Sequence, residues 1–331
     1  MRQVWITRRG GPEVLQVREA PEPQPKPGEV RIRVRAAGLN FADVMARIGL
    51  YPDAPPLPCV MGYEVSGEID LPRERAGERV IALTAFGGQS ELVCVPAGMV
   101  LPMPQGLGFS EAASIPVVWL TAWHMLHELA NLKAGQTALI HAAAGGVGTA
   151  AVQICRRAGA KSIGTASASK HARLRELGLD HAIDYRSQDF EPEVMRVTGG
   201  RGVDVALDAV GTFKQSFRCL APMGKLMMYG ASAAVSGDKR NLLAAARAAV
   251  AMPFFHPLKL LPENKGIFGV NMGRLWGETA MLAGELREVL KGFASGDFKA
   301  IVDSEVPFAE PRRAHERLQS RQSFGKVVLV P

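Results

Sequence analysis

The chain has 331 residues, 47% of them hydrophobic and 21% charged, and a formal net charge of +7. That length allows two domains with separate cores, and the composition excludes a disordered or fibrous chain. The 39 Lys and Arg are scattered without a basic arm, so nucleic acid is not an expected partner; a basic solvated surface accounts for the charge, and part of it could serve a phosphorylated cofactor.

The opening MRQVWITRRGG is a short alternating run without the apolar stretch of a secretory signal, and no window holds about 18 consecutive apolar residues. The expectation is a cytoplasmic protein with no membrane-spanning helix. The first hundred residues read as β-rich: Val30–Ala36 alternates with period two, Pro21–Pro27 is an extended proline-studded connection, and short apolar runs follow at Val80–Leu83 and Leu92–Val95. Together they predict a compact, partly antiparallel barrel. Cys59, Cys94, Cys155 and Cys219 are far apart with no C-x-x-C pair, which disfavours a structural zinc site and predicts free thiols.

After Pro116 the pattern changes. Val117–Leu129 has helical length, and strands are predicted at Thr137–Ala142, Lys161–Ala166, His181–Asp184, Val203–Ala209 and Lys225–Tyr229. Helices near Gly146–Ala158, Lys170–Leu177, Phe190–Val197 and Phe213–Leu220 fall between them. This alternation means βαβ units and a parallel sheet covered on both faces, the doubly wound Rossmann class. Met227 and Met228 belong to its core. A helix at Ala280–Phe293 and a strand at Val327–Val330 close the chain. The seven histidines, including His124, His127 and His141, form no ligand constellation, so no metal is expected.

The most informative stretch runs from Leu139 to Gly148, where an apolar strand enters a glycine-rich turn and a helix opens at once. In Ala143-Ala144-Gly145-Gly146-Val147-Gly148 the backbone N–H groups can approach a pyrophosphate, the helix N-terminus supplies partial positive charge, and Gly148 lets helix and strand pack closely. At the end of the second strand, Ser167, Ser169 and Lys170 stand where an NAD-preferring site carries an acid. Small hydroxyls and a lysine suit the 2′-phosphate of NADPH.

These residues resemble the medium-chain dehydrogenase/reductase superfamily, in its quinone oxidoreductase or zeta-crystallin branch. The resemblance rests on Gly135–Arg156, Asn40-Phe41-Ala42-Asp43, Gly49-Leu50-Tyr51-Pro52, Leu120-Thr121-Ala122 and Gly202–Gly211, and it covers essentially the whole chain. The segments 239–242, 263–265 and 268–271 look most like the vesicle amine transport protein group. The resemblance implies a Rossmann domain inserted in a GroES-like β-barrel catalytic domain, with boundaries at 1–118, 119–269 and 270–331, and a homodimer.

It also implies a zinc-free site. Where zinc members carry a cysteine before the aspartate and a Gly-His-Glu, this chain has Asn40 and Gly62-Tyr63-Glu64. The implied reaction is hydride transfer from NADPH to a quinone or an α,β-unsaturated carbonyl. Tyr51 is the candidate proton donor and Asn40 an amide for the nicotinamide ribose or substrate; packing in its turn is the alternative role for Tyr51. The resemblance places Thr121, Val210, Tyr229, Gly230, Phe268 and Val270 at the cofactor, and Tyr185 and Arg321 beside Lys170 at the 2′-phosphate. Two departures stand out. The hairpin Gly67–Val80 is trimmed, and the segment 238–263 is extended by a helix at Asn241–Ala251 and the apolar run Met252–Pro257. That run could line a pocket, cover a dimer edge, touch a membrane surface or pack on its own domain. The rival expectation is an NADPH-binding, membrane-associated or regulatory protein with little turnover; a third is a biosynthetic enoyl reductase.

Overall fold

A computed structural model of the chain describes residues 1–230, 232 and 253–331. The predicted helix at Asn241–Ala251, the motif at 239–242 and Met252 lie outside the described residues. The chain forms two compact units. One comprises Met1–Leu120 and Met272–Pro331; the other begins at Thr121 and ends at Asn271.

The chain opens with strands β1 (Arg2–Ile6), β2 (Leu15–Glu19) and β3 (Glu29–Leu39), helix α1 (Phe41–Ile48), and strands β4 (Cys59–Val60), β5 (Glu64–Leu71), β6 (Arg79–Leu83), β7 (Leu92–Pro96) and β8 (Val100–Pro102). Helices α2 (Phe109–Ala113) and α3 (Pro116–Trp123) follow. Next come β9 (Thr137–Ile140), α4 (Gly146–Arg157), β10 (Lys161–Ala166), α5 (His171–Glu176), β11 (His181–Asp184), α6 (Phe190–Val197), β12 (Val203–Asp208), α7 (Phe213–Arg218) and β13 (Leu220–Met228). The chain continues through the helix Pro257–Glu263, β14 (Gly266–Gly269), the helix Thr279–Ala294, β15 (Val302–Pro307), the helix Pro311–Gln319 and β16 (Lys326–Val330).

In the first unit a seven-stranded sheet runs β15-β16-β3-β5-β6-β8, with β7 also on β3, and a smaller sheet joins β2, β1 and β4. The strand spacing of two puts Ile32, Val34, Val65, Ile69, Val80 and Val93 into one core. The C-terminal tail returns to this unit because β16 pairs antiparallel with β3, Val328 opposite Gly38. The trimmed hairpin is β5–β6, in register at Glu68 and Arg79.

The second unit carries six parallel strands in the order β11-β10-β9-β12-β13-β14. The strand order reverses at β9, which lies between β10 and β12, and in such sheets ligands bind beyond the carboxyl ends at that point. Several boundaries differ from those expected. The helix predicted over Val117–Leu129 is α3 followed by a π-helical stretch, His124–Leu129, in which the Ala130 N–H donates to the Met125 carbonyl. Strand β9 stops at Ile140 because Ala142 takes a left-handed φ of 51°. Strand β13 starts at Leu220 rather than Lys225, with a register shift against β12 and a positive φ at Met223. The helix predicted from Lys170 is a 3-10 turn, Ala168–Lys170, leading into α5, and the one predicted to Leu220 ends at Arg218. Met227 is fully buried, whereas Met228 is half-buried, packed on the core that holds Leu226, Phe213 and Phe217. Phe255 packs on that core too, while Phe254 is exposed. No helix among the described residues is long and apolar enough to cross a membrane.

Candidate functional site

The glycine-rich turn leaves β9 and opens α4. The first turn of α4 has no side-chain cap and no acidic residue of its own, so the helix itself supplies no anion to its N–H groups or to the positive end of its dipole. A Cβ on Gly148 would lie 2.5 Å from Ala142 O, Ala143 Cα and Ala143 O, so only glycine lets the helix sit so near the strand end. A helix start without a side-chain cap, brought close to the strand end at Gly148, fits a dinucleotide pyrophosphate.

The other predicted cofactor residues of this unit gather at the carboxyl ends of the strands. Ser167 follows β10 and Tyr185 follows β11, and these strands are paired with Ala166 opposite Asp184, so the two residues leave the sheet side by side. Lys170 is half-buried in the 3-10 turn after Ser167, and no acid lies in that turn. Tyr185 is 45% exposed, with Arg186 over its ring. Val210 follows β12; Tyr229 and Gly230 follow β13, with the Tyr229 N–H donating to Asp208 O (3.1 Å). Phe268 lies in β14, and the Val270 N–H donates to Met228 O (2.8 Å). Thr121 is buried in α3. Arg321 belongs to the first unit, exposed after the helix Pro311–Gln319 with φ 58°.

A buried polar network, unseen in the sequence, underlies these loops. His141 meets Thr165 Oγ1 through Nδ1 (3.1 Å) and Ser216 Oγ through Nε2 (3.0 Å). Ser216 spends its proton on Asp208 Oδ2 (2.7 Å), so the His141 Nε2–H donates to Ser216 and Nδ1 accepts from Thr165. Burial lowers the His141 pKa, which keeps this ring neutral. Asp208 Oδ1 also accepts the N–H groups of Val210 (2.8 Å) and Gly211 (2.9 Å), fixing the loop after β12. Only the polar types at 141, 165, 208 and 216 hinted at this, and they are distant in sequence.

The first unit holds Asn40 and Tyr51. Asn40 caps α1: its N–H donates to Asp43 Oδ2 (2.6 Å), and Asp43 Oδ1 accepts from Gly62 N (3.2 Å). The Asn40 amide is gripped from both ends. Its Nδ2 donates to Glu64 Oε1 (2.9 Å), and its Oδ1 accepts from Lys326 Nζ (2.6 Å). Lys326 and Glu64 form an ion pair, with Lys326 3% exposed and Glu64 fully buried. Glu64 Oε2 takes the Val117 N–H (2.6 Å). Gly38 permits this approach, since a Cβ there would lie 2.5 Å from Glu64 Oε1. The second Nδ2 hydrogen of Asn40 has no protein partner among the described residues, so it is available to a ligand. Burial, against the pull of Lys326 and the Asn40 N–H, raises the Asp43 pKa to about 7.

Tyr51 is half-buried, and burial pushes its phenol above the usual 10, so it stays protonated. Its ring packs edge-on against Tyr63, centroids 6.3 Å apart. Tyr63 and Asn40, at positions where zinc members of the superfamily carry ligands, are thus engaged in aromatic packing and in an ion-pair network. Among the described residues no group of three or more His, Cys, Asp or Glu is placed to hold a metal ion.

Comparison with known proteins agrees with this architecture. Residues 26–105 match the alcohol dehydrogenase GroES-like domain family, and residues 177–329 match the zinc-binding dehydrogenase family. The synaptic vesicle membrane protein VAT-1 homolog of Homo sapiens is 40% identical over 325 residues, covering 96% of this chain and 82% of that protein. A quinone oxidoreductase of Pseudomonas aeruginosa is 34% identical, covering 100% of this chain and 99% of that protein. The crystal structure of Escherichia coli quinone oxidoreductase complexed with NADPH superimposes with a TM-score of 0.86 at 30% identity, covering 100% of both chains. This chain belongs to the medium-chain dehydrogenase/reductase superfamily, with a GroES-like first domain and a parallel-sheet Rossmann domain, among the relatives of VAT-1 homologs and quinone oxidoreductases.

Proposed function

We propose that this protein is an NADPH-dependent, zinc-independent reductase that delivers hydride to a quinone or an α,β-unsaturated carbonyl. The observation that carries the reading is the uncapped, acid-free start of α4 at the switch point of the sheet, with Ser167 and Lys170 in place of an acid after β10. Bound NADPH supplies the hydride; the residues of the chain bind, orient and provide the proton.

The N–H groups of Gly146, Val147 and Gly148 hold the pyrophosphate, with Ala144 and Gly145 at its entry, the Gly145 N–H being spent on Ala142 O (2.9 Å). Ser167, Lys170 and Tyr185, with Arg321, receive the 2′-phosphate. Val210, Tyr229, Gly230, Phe268, Val270 and Thr121 bound the nicotinamide half. Asn40, oriented by Glu64 and Lys326, offers its remaining amide hydrogen to the ribose or to the acceptor carbonyl. Tyr51, protonated across the physiological range, gives the proton that neutralises the oxyanion formed on the acceptor. The homodimer is proposed through β14, the last strand of the parallel sheet among the described residues, whose outer edge leaves backbone groups for a second copy.

The test is titration with NADPH and NADH by protein fluorescence, followed by cofactor oxidation with a panel of quinones and enones. Tight NADPH binding with turnover that drops roughly 100-fold or more in Tyr51→Phe supports the reading and the proton-donor role. Tight binding without turnover on any acceptor favours the rival, a nucleotide-binding regulatory or membrane-associated protein. Failure to bind either nucleotide overturns the reading from the glycine turn onward.

A further inference from the structure

In the first unit, Tyr51 adjoins a cluster whose other members the reaction as outlined does not use. Gly62 has φ 106°, and a Cβ there would lie 2.6 Å from Gln89 N and 2.9 Å from Gly88 Cα, so the backbone is pressed against the Gly88–Gln89 segment. The next residue, Tyr63, is 4% exposed and surrounded by rings. Tyr51 meets it edge-on, Phe86 lies tilted against it at 5.4 Å, and Trp276 stacks with it at 6.3 Å and 29°. Tyr51, Phe86 and Trp276 are each half-buried, so this aromatic group reaches the surface of the unit.

Two hydrogen-bond donors are enclosed here. Tyr63 Oη and Trp276 Nε1 are both buried with no hydrogen-bond partner among the described residues. The Tyr51 and Tyr63 phenols are near enough to affect one another's acidity. Burial, then the charge of Asp43, drives the Tyr63 phenol far above its ordinary value, so it remains a donor. Buried donors without acceptors are rare and costly, and their clustering in an aromatic group points to a ligand that brings acceptors.

The chemistry of that ligand follows. It must be flat, to lie against the rings, and must present acceptor oxygens. A quinone has both properties: every polar atom on it is a carbonyl acceptor. A small aliphatic enone has one carbonyl and no ring face. We propose that Tyr63 and Trp276 form an acceptor-binding subsite that selects planar aromatic quinones over aliphatic enones, an inference resting on the reductase reading above. Uptake of one hydride and one proton turns the two quinone carbonyls into hydroxyls. The hydroquinone brings O–H donors into a group of donors, so the subsite holds product less well than substrate.

The test uses the full chain with 1,4-naphthoquinone and 3-penten-2-one as acceptors. Tyr63→Phe removes only the hydroxyl, and Trp276→Phe keeps an aromatic ring while deleting the N–H. Each is expected to raise KM for naphthoquinone roughly 5–10-fold, the worth of one hydrogen bond, and KM for the enone by much less. Naphthoquinone binding is read independently of turnover, from quenching of protein fluorescence. Because Trp276 is half-exposed, its variant keeps the test open should the Tyr63 variant fail to fold. If naphthoquinone is reduced by the parent while both folded variants keep its KM within twofold, the subsite is refuted and the reductase reading stands. If the parent reduces neither acceptor, the reductase reading fails. Quenching by naphthoquinone that Tyr63→Phe weakens would then still support the subsite, and quenching it leaves unchanged would refute it.

Discussion

Lys326→Met tests whether the buried ion pair beneath Asn40 fixes the candidate site. In the parent, Glu64 has no solvent exposure, and its carboxylate is met by Lys326 Nζ, Asn40 Nδ2 and the Val117 N–H. Methionine fills much of the lysine volume but leaves the carboxylate without its counter-charge. Removing one partner of a buried pair costs about 3–5 kcal/mol, whereas replacing both is far milder. For a unit of this size about 1 kcal/mol moves the melting temperature by roughly 2–4 °C, so the variant should melt roughly 6–20 °C lower. The double variant Glu64→Gln, Lys326→Met should recover a large part of that loss, since no charge is stranded. Turnover should respond separately. Without Lys326, the Asn40 Oδ1 has lost its donor and the amide can rotate, so quinone reduction should fall about 10-fold, or about 1.4 kcal/mol, even well below the melting range. Scanning calorimetry and steady-state kinetics on the three variants decide the matter. A single variant that melts within a couple of degrees of the parent, or a double variant no better than the single, would refute the reasoning.

Two further predictions concern other parts of the fold. His315 is fully buried, neither ring nitrogen has a hydrogen-bond partner among the described residues, and burial, helped by Arg47, lowers its pKa to about 3. The unfolded chain, with an ordinary value near 6.5, takes up a proton that the folded chain refuses, so stability falls as pH drops from about 6.5 toward 3. His315→Leu lacks this slope: urea titrations should show the variant gaining about 2 kcal/mol relative to the parent between pH 7.5 and pH 5, and equal slopes would contradict a neutral buried ring. Lys170→Ala should weaken NADPH binding about 10–100-fold, in line with the loss of one charge-assisted hydrogen bond, and leave NADH nearly unchanged. Equal losses for the two nucleotides would remove Lys170 from the 2′-phosphate.

Local rules carried much of the sequence reading. Strands Lys161–Ala166 and His181–Asp184 and the helix Phe190–Val197 end where expected, because apolar periodicity and flanking glycines act over a few residues. The glycine turn was legible for the same reason: its function depends on the backbone of consecutive residues. Where expectation failed, a tertiary contact decided. Strand β14 is four residues, Gly-Ile-Phe-Gly, with no periodic signal, and exists because it pairs in parallel with β13. Strand β9 ends early because the turn after it needs a left-handed Ala142.

The candidate site divides along the same line. Asn40 and Tyr51 were named from short motifs, but what orients Asn40 is Lys326, 286 residues away, and Glu64, whose charge is tolerable only where β16 folds back on β3. Likewise Tyr63 was read only as a missing zinc ligand, and its ring cluster exists because Trp276 comes back to the same unit. By itself the sequence determined most of the alternating strands and helices after Pro116 and the glycine-rich turn between β9 and α4, since those depend on neighbouring residues. Which buried charges are compensated, and which donors are left without acceptors, was decided by the tertiary structure, because pairing of that kind needs side chains brought together across hundreds of residues.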